Sequence, residues 1–108
     1  MTASDSQTNA QAEALRNKLN RETSRMPWSE LLRHFAGGNV IAVSNDLDLV
    51  EVALRFTNDD KALVAQWLAQ QRIAKVSDSQ AAAWLEADVS LWAVVVRPWV
   101  LVQLEKPA

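Results

Sequence analysis

Apolar residues recur along this chain with two different periods. Trp28, Leu31, Leu32 and Phe35 stand at i, i+3, i+4 and i+7, which lays one apolar stripe along a helix. The spacing predicts a helix over 27–36, opened by Pro27 in its first turn and closed at Gly37, where a left-handed C-cap glycine is expected. The stretch from Leu91 to Leu104 behaves differently. It reads Leu-Trp-Ala-Val-Val-Val-Arg-Pro-Trp-Val-Leu-Val-Gln-Leu, dense in the β-branched and aromatic side chains that suit a pleated, largely buried surface. Its 14 residues, broken by Arg97 and Pro98, are too few and too polar at the middle to cross a bilayer. The helices before it are therefore expected to cover it.

The same reading places the other elements. Residues 10–25 favour a helix with a thin stripe of Ala12, Leu15 and Leu19. Gly37-Gly38 releases the chain into a short strand over 40–43. Asp48, Glu51, Arg55 and Asn58 or Asp59 recur as one polar stripe, which predicts a mostly buried helix whose first turn is capped by Asp46 and Asp48. Asn58, Asp59 and Asp60 cap a further helix to about Gln71, with Leu63, Val64, Trp67 and Leu68 inward. A brief strand follows over 73–76. Ser77 and Gln80 then form a capping box ahead of a helix over 81–87, with Ala81, Trp84 and Leu85 inward.

Pro98 sets the geometric problem. A two-residue hairpin tipped by Arg97-Pro98 suits only a cis turn. A continuous strand bulged at Pro98, with Pro98 on a sheet edge, is expected instead. One extra residue there would bring Trp92 and Trp99 to the same face. The elements sum to an α+β domain over 11–105, four to five helices on a small, mainly antiparallel sheet with a long kinked C-terminal strand. A winged-helix-like arrangement is the alternative. Polar tails are expected at 1–10 and 106–108.

Composition narrows the function classes. The 108 residues carry a formal charge of −2 and no cysteine, so no global positive field recruits phosphate backbones, and thiolate chemistry is absent. Residues 1–10 lack the basic and apolar regions of a signal peptide, and the chain is read as cytoplasmic. With one histidine, His34, no tyrosine and no paired carboxylates distinguishable from helix caps, neither a catalytic set, a cofactor nor a metal is expected. The helices over 46–57 and 59–71, followed by residues 73–76, resemble a helix-turn-helix with the start of a wing, and Ala53 occupies the small position where the two would cross. The second helix, however, carries Lys61 as its single positive charge, so nucleic acid is disfavoured as a partner.

A protein partner, or a second copy of the chain, is the expectation that remains. A long apolar strand near an edge seeks cover, which nominates Trp92, Pro98 and Trp99. Lys18, Arg21 and Arg25 fall on one helical face, a cationic row that could dock on the acidic Asp48 and Glu51 within or between chains. Gln103, polar within an apolar strand, must face solvent or find a hydrogen-bond partner.

One family shares this order of features. Trp28-x-x-Leu31 before a glycine turn, Leu47-Asp-Leu-Val-Glu-Val52, Asp59-Asp60, Val64-x-x-Trp67-Leu68, Ala82-x-Trp84 and Val96-x-Pro98-Trp-Val-Leu-Val-Gln103 together resemble the small bacterial domain of unknown function 2288 family. Gly38 departs from that pattern, standing where an arginine is expected beside the glycine. The resemblance implies a small stand-alone bacterial cytosolic protein and carries over no functional residue.

Overall fold

The computed structural model describes residues 2–104, with side chains from residue 10 onward. Of the tails expected at 1–10 and 106–108, the second lies outside the described residues, and residues 2–10 belong to the first helix, described by backbone alone up to residue 9. In chain order the elements are α1 (Thr2–Glu22), β1 (Ser24–Pro27), a 3-10 turn (Trp28–Leu31) running into α2 (Leu32–Ala36), β2 (Val40–Val43), α3 (Leu49–Thr57), α4 (Lys61–Ala69), β3 (Ile73–Lys75), α5 (Asp78–Glu86), β4 (Ser90–Val96) and β5 (Trp99–Gln103). The strands form one sheet in the order β1-β4-β5-β2-β3. Only β2 and β5 run parallel, so the sheet is mixed and mainly antiparallel, and the α+β reading stands.

Residues 91–104 are not one kinked strand. They fold back as a hairpin, β4 against β5, with Val96 opposite Trp99 and Trp92 opposite Gln103, and the Arg97–Pro98 peptide between them is cis. A straight strand of that length would run roughly 46 Å at about 3.3 Å per residue. The other strands have only four, four and three residues, so most of its backbone would have gone unpaired, and unpaired buried N–H and C=O groups are costly. Folding back lets it pair with itself. Trp92 and Trp99 do share a face, but because residues opposite each other in a ladder point the same way, not because of a bulge. Nor does the segment lie at an edge: both of its strands are flanked on either side.

β1 is a second departure. The predicted helix over 10–25 stops at Glu22, where Thr23 hydrogen-bonds the Leu19 carbonyl through both its backbone N–H (3.0 Å) and its hydroxyl (2.7 Å). Ser24 to Pro27 then pair with Ser90 to Ala93. Pro27 biases the residues before it toward extended backbone, and its missing N–H is tolerated on an edge strand. The left-handed glycine after α2 is Gly38, at φ 75°, one residue later than expected.

Period-two alternation sorts the sheet into two faces, each with its own core. On the first, Ile41, Val43, Ile73, Val94, Val96 and Leu101 pack with Leu19 of α1, Trp67 of α4 and the buried flank of α3. On the second, Val40, Leu91, Ala93, Val100 and Val102 meet Trp28, Leu31, Ala81 and Trp84. Each large side chain removed from water contributes about 1.5–3 kcal/mol. Gln103 is 1% exposed on the first face. Its amide nitrogen donates to the Ser44 carbonyl (2.8 Å) and the Leu47 carbonyl (2.6 Å), pinning the β2–α3 loop. Its amide oxygen has no partner among the described residues.

Three expected caps hold, although α5 begins at Asp78 rather than 81 and the helix expected over 27–36 opens as a 3-10 turn after Pro27. Asp48 accepts from the Val50 and Glu51 N–H groups at the start of α3, Asp60 from Leu63 at α4, and Ser77 from Gln80 at α5. Asp46 does not cap a helix. It accepts from the Ser44 hydroxyl and from Arg72 (2.7 Å), and these contacts, the Ser44 hydrogen bond foremost, hold its carboxyl below the ordinary range.

Candidate functional site

The first face is not covered along its whole length. α3 ends at Thr57, whose hydroxyl donates to the Ala53 carbonyl (2.9 Å). The chain turns at Asn58 and Asp59, the latter at φ 55°, a left-handed conformation that aspartate tolerates. Asp60 then opens α4, and its own N–H donates to the Arg55 carbonyl (3.0 Å). Between this corner and the β5-β2-β3 side of the sheet lies an open groove of about 420 Å³, within the size range of binding clefts.

Its floor is apolar. Ile41, Ile73, Val96 and Trp99 come from the sheet, and Phe56, Val64 and Leu68 from the helices. Leu68 is 49% exposed, unusual for a residue on a helix's apolar stripe. The rim is charged, with Arg55, Lys61, Lys75 and Arg97 against Asp59 and Asp60, and Pro98 completes the wall. The lining contains no serine, threonine or histidine; what it offers an occupant is apolar contact and charge.

The rim cations are differently engaged. The Arg55 guanidinium reaches Glu51 at 3.0 Å and Asp60 at 3.8 Å, while its Nε is buried without a hydrogen-bond partner among the described residues. Lys61 lies 3.8 Å from Asp59, both largely exposed, an arrangement that contributes little. Lys75 sits on the Ile73 side of β3 with its ammonium 5.6 Å from the Trp99 ring centre, a cation–π contact.

The sequence model of the family described as Protein of unknown function (DUF2288) matches residues 14–104. The chain belongs to this family. A solved relative is the NMR solution structure of PA1075 from Pseudomonas aeruginosa, 45% identical, aligned over 84% of each chain with a TM-score of 0.74. No curated protein matches the chain. The DUF2288 match covers every element that builds the groove, from β2 to β5.

Of the residues nominated from sequence, the DUF2288 fold brings Pro98 and Trp99 to the groove. Trp92 lies on the same sheet face, half-buried, with the Arg25 guanidinium 5.7 Å from its ring centre. Arg25 therefore leaves the expected row, because it belongs to β1 rather than to the helix. Lys18 and Arg21 stay exposed on α1. Asp48 is consumed as a cap. Glu51 does receive a cation from α1, at 2.8 Å, but from Arg16. His34 lines a separate shallow hollow with Met26, Ser29, Glu30 and Arg33, and the described residues hold no group of three His, Asp or Glu able to seat a metal. No described helix is long and apolar enough to cross a membrane.

Sequence reasoning missed Arg55, Lys61, Lys75, Arg97 and the exposure of Leu68. The charges that bound the apolar runs, Asp60-Lys61 and Arg97, were the available signal. Their convergence needs the β5-β2-β3 strand order, which periodicity does not supply.

Proposed function

We propose that the protein is a non-catalytic interaction module of the bacterial cytosol, regulatory or adaptor-like, which grips a segment of a partner polypeptide in the groove between α4 and the sheet. The supporting observation is Leu68, 49% exposed, beside the incompletely buried Trp99 on the floor of a cation-rimmed concavity, while Trp28, Trp67 and Trp84 are buried. Large apolar side chains left accessible in a concavity are the usual anchors of an interface.

The test is affinity capture from the native cell with the full chain and with Leu68→Asp as paired baits. A companion protein retained by the first and lost by the second is expected. Identical captures would reject the groove as the contact surface. A salt-sensitive mobility shift of duplex DNA at micromolar protein would favour the helix-turn-helix alternative instead.

A further inference from the structure

The groove is a positive island on a negative molecule. The whole chain carries −2, yet four cations line the groove against two carboxylates. The carboxylates are also spoken for: Asp60 opens α4 and lies near Arg55, and Asp59 faces Lys61. Arg55 has Glu51 besides. Lys75 and Arg97 remain with no carboxylate partner among the described residues. Lys75 rests on Trp99, and Arg97 is exposed at the turn beside Pro98. Both line the groove together with Trp99, so an occupant that buries an apolar group there brings its neighbouring atoms near uncompensated positive charge.

We infer that the partner segment is acidic: one large apolar side chain seated against Trp99 and Leu68, with aspartate or glutamate close by in sequence to pair with Lys75 and Arg97. This rests on the groove being a polypeptide site, as proposed above. The division of labour is physical. The anchor supplies most of the affinity through desolvation of the floor, whereas exposed rim charges set association rate, salt sensitivity and the rejection of basic competitors. A basic segment would meet like charge beside its anchor and be excluded.

Selection of short random peptides displayed against the folded full-length protein tests this, followed by mapping of the enriched peptides, resynthesised, on the amide spectrum of the labelled protein. Enriched sequences should combine a Leu, Phe or Trp with flanking acids and shift the amides around Leu68, Ile73 and Trp99. Their affinity should fall roughly tenfold, equivalent to about 1.4 kcal/mol, in the double variant Lys75→Glu with Arg97→Glu. It should also fall as salt is raised on the unaltered protein, a readout independent of any variant's folding. Peptides that map to the groove but are neutral or basic, or that ignore both salt and charge reversal, would overturn the acidic preference and leave the interaction-module reading intact. No enrichment, shifts confined to another surface, or occupation of the groove by decanoate alone would overturn both.

Discussion

The two faces of the sheet use tryptophan in opposite ways. On the second face Trp28 is fully buried, its indole N–H donates to the Ala81 carbonyl at 3.1 Å, and its ring meets Trp84 edge-on at 5.1 Å. Both ends of that side chain, apolar and polar, are satisfied by α5, which locks α5 to the 3-10 turn. On the first face Trp99 is half-buried at the end of the core, with the Lys75 ammonium 5.6 Å from its ring centre. One tryptophan closes a seam; the other lines an opening. Buried area alone would rank both as core anchors, so the difference lies in whether a helix continues over the residue. Trp84 of α5 and Phe35 of α2 pack against Trp28, whereas α4 leaves Trp99 on the floor of the groove.

This contrast can be broken by mutation. The largest effect is expected from Trp28→Ala, a loss of about 3–5 kcal/mol in urea denaturation, typical for removing a buried tryptophan. Trp99→Ala should cost clearly less, and equal losses would show that the groove floor is ordinary core. Gln103→Met keeps most of the volume but strips donors from the Ser44 and Leu47 carbonyls, which should destabilise by about 1–3 kcal/mol. No change there would mean that the β2–α3 loop is not pinned by the amide. Leu68→Ser should shift stability by less than about 0.5 kcal/mol, as expected at a half-exposed position away from the core, while weakening capture of any partner; a loss comparable to Trp28→Ala would make Leu68 structural. The smallest effect concerns Asp46. Its folded-state carboxyl titrates below the ordinary value, about 3.9, so whatever it contributes to stability is present above about pH 4 and lost as pH falls through the lowered midpoint. NMR titration should place that midpoint below the ordinary value, and Arg72→Ala should move it back up. An unshifted Asp46 would discount the Ser44 and Arg72 contacts.

Legibility from the chain divides by distance in sequence. Asp48, Asp60 and Ser77 were identifiable as caps because each works within three residues of itself. The buried flank of α3 and the stripe of Trp28 and Leu31 were legible because helical periodicity is local. Arg25 was misplaced because the choice between one more helical turn and a strand was made by β4, some 65 residues away, whose outer edge needs a partner (Arg25 pairs with Trp92). Gln103 could be named as a residue in need of a partner, but its acceptors, the carbonyls of Ser44 and Leu47, lie 59 and 56 residues away.

The amino-acid sequence by itself determined that the helices form and where α3, α4 and α5 are capped, since capping and periodicity depend only on near neighbours; it did not settle the whole apolar side, because Leu68 and Leu85, both read as inward, are each 49% exposed. It also determined that residues 91–104 would be extended and covered. Tertiary structure decided that this ribbon doubles back, that Ser24–Pro27 becomes a strand, and that Arg55, Lys61, Lys75 and Arg97 gather around one groove. Those outcomes depend on which backbone groups find partners across the sheet, and a pairing between distant strands leaves no periodic trace in either of them.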